Sequence, residues 1–152
     1  MSFNAIFFTV KTNQKNTDYY CMLMTALDSL FSSTPNLRHD VFVYCDLEDL
    51  HPSEININGR NIANSFPSVN IIYKSWPESK NYKPVPSPNY FYKWLCLEHI
   101  IHNTRYKNLA YFDCDVYFLK NINNIFDCYP KNFCGIYEGY CELKNKLIGT
   151  PH

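Results

Sequence analysis

Short apolar runs and polar stretches alternate along this chain, and the alternation predicts a set of strands. The apolar runs are compact and rich in β-forming residues, as is typical of strands that are buried on both faces. They lie at residues 3–10, 40–46, 69–73 and 108–113, with a further extended segment at 116–119 and another strand at 132–137. Three of these runs lead directly into polar residues, at 11–13, 45–46 and 113–115.

Two longer stretches have the spacing of helices. In the first, apolar residues recur at i, i+3, i+4 and i+7 from Leu23 to Leu30, which predicts a helix capped by Thr17 or Asp18. The second is predicted over residues 90–102. Its cap is Asn89, and the residues that share its apolar face are Trp94, Leu97 and Ile101.

Polar and proline-rich segments separate these elements. Residues 47–68 are expected to hold at most a short helix, and residues 121–130 a turn with another short helix. Residues 74–89 contain four prolines and predict a long surface loop.

The order of strands and helices predicts an α/β fold with a mostly parallel central sheet flanked by helices. At 152 residues the chain is expected to form a single domain over 1–152. Ligands of such sheets bind outside the carboxyl ends of the strands. The three polar strand exits are therefore the first candidates for a functional site.

Composition narrows the function class. The chain has 14 basic and 14 acidic residues, so its formal net charge is zero and nothing indicates binding to nucleic acid. Four glycines leave no dinucleotide-binding or Walker A phosphate loop. Seven cysteines without a CxxC pair indicate reduced, mostly buried thiols rather than a disulfide framework or a zinc site. With no signal peptide or membrane span in the sequence, the expected compartment is the cytoplasm.

Asp113 and Asp115 interrupt an apolar, aromatic stretch, YFDCDVYFLKNI. Residues one position apart on a straight strand point to opposite faces, so the chain must turn at Cys114 for both carboxylates to reach one site. Carboxylates suit Mg²⁺ or Mn²⁺, which commonly bridge protein oxygens and substrate phosphates. The alternative is that this Asp-x-Asp triplet is only a solvated turn.

The residues on either side of this triplet, together with the N-terminal strand, resemble a known protein family. Residues 92–127, YKWLCLEHIIHNTRYKNLAYFDCDVYFLKNINNIFD, combine a lysine-bearing helix, a strand, Asp-x-Asp and an NIFD-type turn, and the N-terminal FFTVKTN precedes a tyrosine pair. Together they resemble the donor-binding core of glycosyltransferases with the GT-A fold, in particular the glycogenin-like family 8. The resemblance implies a Rossmann-like nucleotide-diphospho-sugar transferase fold, a UDP-sugar donor, Mn²⁺ or Mg²⁺, and transfer with retention to an unknown glycan or protein acceptor.

Residue roles follow from the same resemblance. It implies that Asp115 ligates the metal, and that Asp113 contacts both the metal and the ribose. Lys93 would lie near the donor phosphate and sugar, where the alternative is a solvated helix lysine. Lys93 and Asp115 are the candidate catalytic residues. The other residues expected to contact the donor are Thr9, Val10, Thr12, Asn13, Tyr19, Tyr20 and Cys114; for the two tyrosines base stacking and simple packing both stay open.

The chain also departs from that family. The acceptor-side half, with its FN(S/A)GV-type strand and late metal-binding histidine, is not found, so the fold is expected to be truncated on the acceptor side. His152 is a weak substitute for that histidine, whereas His99 and His102 are expected to serve packing or surface roles.

Three functions remain open at this stage. The first is a glycosyltransferase, and the second is a non-catalytic nucleotide-sugar-binding module or one that needs a partner chain, with a homo-oligomer among the possible assemblies. The third, a sugar nucleotidyltransferase, needs a glycine-rich loop that KTNQKN lacks. A composition rich in Asn, Ile, Lys, Tyr and Phe indicates an AT-rich genome, as in a large DNA virus, a protist or a low-GC bacterium, and a viral protein would be expected in the host-cell cytoplasm.

Overall fold

Strands and helices alternate through most of the chain in this computed structural model, which describes residues 4–12, 17–47, 49–74, 89–128, 137–143 and 146–151. The strands are β1 (Asn4–Val10), β2 (Asp40–Asp46), β3 (Val69–Lys74), β4 (Asn108–Tyr111), β5 (Tyr137–Leu143) and β6 (Lys146–Pro151). The helices are α1 (Asp18–Ser33), α2 (Ile62–Ser65), α3 (Asn89–Asn103) and α4 (Ile125–Cys128). All but the last residue of the predicted strand at 132–137, and most of the proline-rich loop at 74–89, lie outside the described residues.

β1 to β4 form a four-stranded parallel sheet in the order β3-β2-β1-β4. The α/β class and the parallel sheet predicted from the sequence are confirmed. β1 pairs along its length with β2, from Ala5 beside Asp40 to Val10 beside Cys45. Its other neighbour, β4, is shorter and ends where Tyr111 pairs with Phe7. The exits of β1, β2 and β4 therefore meet at the same, carboxyl edge of the sheet.

Helices cover both faces of this sheet. On one face the apolar side of α1 packs on alternate residues of β1 and β2, since successive strand residues point to opposite faces. The fully buried members of this α1-side core include Ile6, Phe8, Val43, Leu23, Leu27 and Leu30. On the other face, α3 packs on Phe7 and Tyr44. α1 begins at Asp18 as predicted, but the Thr17 side chain makes no capping hydrogen bond.

The predicted apolar face of α3 is wrong at two of its three residues. The side chains of α3 that are fully buried against the sheet are Tyr92, Cys96 and Ile100, each at most 2% exposed, and Leu97 of the predicted face packs beside them, partly buried. Trp94 and Ile101, which share the predicted face with Leu97, are 40% and 57% exposed. Both sets have helical spacing, so the periodicity of the sequence does not distinguish them. The packing against Phe7 and Tyr44 decides which one is buried.

The segment after the two aspartates is not a further strand of the sheet. Residues 116–119 form no strand. Their exposure nevertheless alternates as in a strand, since Phe118 is buried whereas Tyr117 and Leu119 are 66% and 83% exposed. The segment's backbone is held by side chains of α1 instead. The Phe118 N–H donates to Ser29 Oγ at 3.0 Å, and Phe118 packs into the α1-side core. Apolar alternation thus reflects packing beside α1 and not pairing in the sheet.

The remaining elements are short. α2 is the only helix described between residues 49 and 68, and the Asn61 side chain caps it by accepting the Asn64 N–H at 2.8 Å. α4 confirms the predicted short helix after the turn at residues 123–124. β5 and β6 pair antiparallel as a separate two-stranded sheet, which the sequence pattern did not predict. None of the helices in the described ranges is long and apolar enough to cross a membrane.

Candidate functional site at the carboxyl edge of the sheet

β4 ends at Tyr111, so Asp113 lies just past the strand, near Thr9 of β1. Tyr111 pairs with Phe7, and the Phe112 N–H still donates to the Phe7 carbonyl at 3.1 Å. Two residues further along the chain in each case, Asp113 and Thr9 both lie beside the Tyr111 hydroxyl. The chain then turns at Cys114, whose thiol is buried and donates to the Thr9 carbonyl at 3.1 Å. Cys114 is thus the buried spacer at a bend that the sequence predicted.

Asp113 is half-buried and is held by Tyr111. The Tyr111 hydroxyl donates to Asp113 Oδ1, and Thr9 Oγ1 lies 3.4 Å from the same hydroxyl. Burial, followed by the hydrogen bond to the Asp113 carboxylate, raises the pKa of Tyr111 well above its usual range. The phenol therefore stays protonated and acts as a donor to the carboxylate.

Lys93 reaches the same tyrosine from α3. Its Nζ lies 5.1 Å from the centroid of the Tyr111 ring, within the range of a cation–π contact. The side chain is half-buried, so Lys93 is not a fully solvated helix lysine. Tyr111 thus contacts a carboxylate through its hydroxyl and an ammonium group through its ring.

Asp115 has different neighbours. It is exposed and lines a groove of ≈ 400 Å³ whose other walls are Cys21, Met22 and Thr25 of α1 and the segment Val116–Tyr117. Asp113, in contrast, contacts Tyr111, which packs with the α3-side residues. Both carboxylates act on Cys114: burial, and then the charges of Asp113 and Asp115, raise the pKa of its thiol to about 12. Cys114 is therefore a neutral thiol near neutral pH.

The exits of β1 and β2 carry a second set of polar contacts. Lys11 Nζ lies 2.7 Å from Asp46 Oδ2, and Asp46 is almost fully buried. Next to it, the Thr12 N–H donates to Asp49 Oδ2 at 2.9 Å, and the Thr12 hydroxyl donates to Asp49 Oδ1. Asp49 therefore fixes the backbone directly after β1, where the resemblance places contacts with the donor.

The remaining predicted donor contacts are not alike. Tyr20 is fully buried and its hydroxyl donates to the Leu50 carbonyl at 3.0 Å, which favours packing over base stacking. Tyr19 is 49% exposed, so for this tyrosine burial does not favour packing over base stacking. The Val10 side chain lies in the α1-side core. Asn13 lies outside the described residues.

Tyr111 and Asp49 were not among the site residues predicted from the sequence. Tyr111 had a usable signal, because a residue two positions before Asp113 on a strand points to the same face and can reach its carboxylate. Asp49 had none, since it lies three residues past the end of β2 and meets Thr12 only through the folded chain.

Asp113 and Asp115 are the two oxygen donors that the resemblance offers for a divalent cation, and their different neighbours mean that Asp115 would have to turn toward Asp113 to share one. One oxygen of Asp113 accepts from Tyr111 and Asp115 is exposed. Within the part of the chain that the structure describes, no three His, Cys, Asp or Glu side chains are grouped so as to hold a metal. A cation at this site would therefore need oxygens from its ligand, as Mg²⁺ bound to nucleotide phosphates has.

No model of a known protein family matches the chain, and a comparison with curated proteins finds no match.

Proposed function

We propose that this chain is a metal-dependent glycosyltransferase with a GT-A-like fold. It would bind a UDP-sugar as its donor and transfer the sugar. The observation that carries the proposal is the meeting of Asp113 and Lys93 on Tyr111, beside Thr9, at the carboxyl edge of a parallel sheet. A carboxylate for a cation and an ammonium group for phosphate then lie where the ligands of such sheets bind.

The cation would be Mn²⁺ or Mg²⁺, held by Asp113 and Asp115. When bound, it supplies a Lewis acid that neutralises charge on the leaving diphosphate. The chain's own residues do the rest of the binding. Lys93 contributes a positive charge beside the phosphates, and the backbone from Thr9 to Thr12, held by Asp49, lines the place of the nucleoside.

The acceptor would be a glycan or a protein, and transfer would retain the anomeric configuration, as the resemblance to family 8 implies. We assign no nucleophile or base among the described residues. Lys93 and Asp115 are the residues proposed to act directly on the donor.

A second candidate is a non-catalytic nucleotide-sugar-binding module, or one whose acceptor half comes from a partner chain. It is favoured by one observation, namely that the described residues offer two carboxylates and no third grouped metal ligand. The two candidates share the donor site and differ in turnover.

Titration calorimetry with UDP, GDP and several UDP-sugars, with and without Mn²⁺, tests the proposal. We expect UDP to bind more tightly with Mn²⁺, Asp115→Asn to lower that affinity by at least about tenfold, and Asp113→Asn to lower it less. The matched control is Asp40→Asn, which removes a carboxylate at the opposite, amino-terminal end of the sheet and should leave UDP affinity unchanged.

Two results would count against this. If UDP affinity is the same with and without Mn²⁺, and is unchanged in Asp115→Asn, the metal-site proposal is wrong. Metal-dependent binding of a UDP-sugar without hydrolysis or transfer would favour the non-catalytic module.

A further inference from the structure

We infer that Tyr111 is a positioning residue that aims Asp113 at the cation and keeps Lys93 from pairing with Asp113. The inference rests on the proposed function, because it assigns Tyr111 a role at that donor site. It starts from one contact pattern: the hydroxyl of Tyr111 bonds to Asp113, and the ring of Tyr111 carries Lys93 Nζ at 5.1 Å from its centroid.

Tyr111 is itself firmly placed. It is the last residue of β4, pairs with Phe7 in the sheet, and packs against the Phe7 ring with the ring centroids 5.2 Å apart and the ring planes tilted by 49°. Its hydroxyl also lies 3.4 Å from Thr9 Oγ1. A side chain with ring and hydroxyl both in contact has little rotational freedom left to lose when a ligand binds. It can therefore act as a fixed support for groups on either side.

For Asp113, this support selects which oxygen is available. Oδ1 accepts the Tyr111 hydroxyl, and no other hydrogen bond to Asp113 is formed among the described residues. Oδ2 is then the oxygen left to face a cation. Partners that hold a metal-binding carboxylate in this way set its orientation, and their loss commonly lowers metal affinity about 10–100-fold.

For Lys93, the ring of Tyr111 takes the place of a direct ion pair. No oxygen of a described carboxylate, Asp113 included, lies within 4.0 Å of Lys93 Nζ. Pairing of Lys93 with Asp113 would neutralise both and leave neither charge for the ligand. Held on the ring face, the ammonium group keeps its charge available for a diphosphate.

Two substitutions separate the two roles. Tyr111→Phe removes the hydroxyl and keeps the ring, whereas Tyr111→Leu removes both. The measurements are Mn²⁺ affinity in the presence of UDP, from the electron paramagnetic resonance signal of free Mn²⁺, and UDP affinity without metal, from calorimetry. We expect Tyr111→Phe to weaken Mn²⁺ binding about 10–100-fold with unchanged metal-free UDP affinity, and Tyr111→Leu to weaken both.

The molecule provides a matched control. Tyr106 donates its hydroxyl to Asp40 Oδ2 at 2.6 Å, the same kind of Tyr–Asp pair at the other end of the sheet. Tyr106→Phe should leave Mn²⁺ affinity unchanged. A double-mutant cycle shows whether Tyr111 acts through the carboxylate: in Asp113→Asn, adding Tyr111→Phe should cause no further loss.

The outcomes are distinct. If Tyr111→Phe binds Mn²⁺ like the wild type, or if its loss persists in the Asp113→Asn background, the inference is overturned while the proposed function stands. If the wild-type protein binds no Mn²⁺ with UDP, the proposed function fails and this inference with it.

Discussion

Lys11 Nζ and Asp46 Oδ2 are 2.7 Å apart, and this ion pair joins the carboxyl ends of β1 and β2. The Asp46 side chain is only 2% exposed and that of Lys11 16%. Charges so little hydrated depend on their partners, because removing one member of a buried pair leaves the other without compensation for its lost water. The pair therefore holds together the edge at which the proposed donor site lies.

Asp46→Ala should lower the free energy of unfolding by about 3 kcal/mol, since it removes the carboxylate that faces Lys11 in a buried site. Urea unfolding of wild type and variant measures this. Asp28→Ala is the control, because it breaks the exposed pair in which Arg60 Nη2 lies 2.7 Å from Asp28 Oδ1. Its effect should be clearly smaller. Equal losses in the two variants would contradict the difference in burial.

The buried face of α3 can be tested with two neighbouring isoleucines. Ile100→Ala should lower the free energy of unfolding by about 2–5 kcal/mol, since Ile100 is fully buried against the sheet. Ile101→Ala makes the same change at a side chain that is 57% exposed, and its cost should stay below about 1 kcal/mol. A larger loss for Ile101→Ala than for Ile100→Ala would mean that Ile101, and not Ile100, faces the core.

Lys93→Met should lower UDP affinity about tenfold, because it removes the charge proposed to lie beside the phosphates and keeps an unbranched side chain of similar length. Lys120→Met, at an exposed position past the Asp-x-Asp turn, is the control and should bind UDP like the wild type. Calorimetry with UDP and Mn²⁺ compares the two. Unchanged affinity in Lys93→Met would make Lys93 a structural lysine.

Stability should fall in mild acid because of His99. Burial, and then the charge of Lys74, lowers the pKa of His99 below its ordinary value of 6.5. As the pH falls through about 6.5, the unfolded chain takes up this proton before the folded protein does, so the free energy of unfolding decreases until the folded pKa is reached. His99→Gln should lose less stability between about pH 7.5 and pH 5.5 than the wild type. Equal slopes for the two proteins would remove His99 as the cause.

Thiol labelling should separate the four cysteines whose side chains are described. Cys21 is exposed, whereas Cys45, Cys96 and Cys114 are buried. Burial raises the pKa of Cys45 and Cys96 as well as that of Cys114, and alkylation needs the thiolate. Iodoacetamide should therefore modify Cys21 first in the native protein and the other three only after unfolding, as read by peptide mass spectrometry. Early labelling of Cys96 would contradict its buried position between α3 and the sheet.

Local pattern was enough for α1, β2 and β4. The run from Leu23 to Leu30 predicted α1, and the apolar runs before Asp46 and Asp113 predicted β2 and β4, because period and β-propensity are properties of neighbouring residues. Pattern was insufficient for α3 and for residues 116–119. In both, apolar spacing fits more than one partner, and the partner is chosen by packing between distant parts of the chain.

The sequence by itself determined the α/β class, the parallel sheet and the position of Asp113 and Asp115 after a strand, since these follow from the order of apolar runs and polar exits. Only the tertiary structure decided that Asp113 bonds to Tyr111 beside Lys93, that Asp115 faces α1 instead, and that Asp49 holds Thr12. The reason is physical: strand order, register and the early end of β4 are set by pairing between residues far apart in the chain, which no local pattern contains.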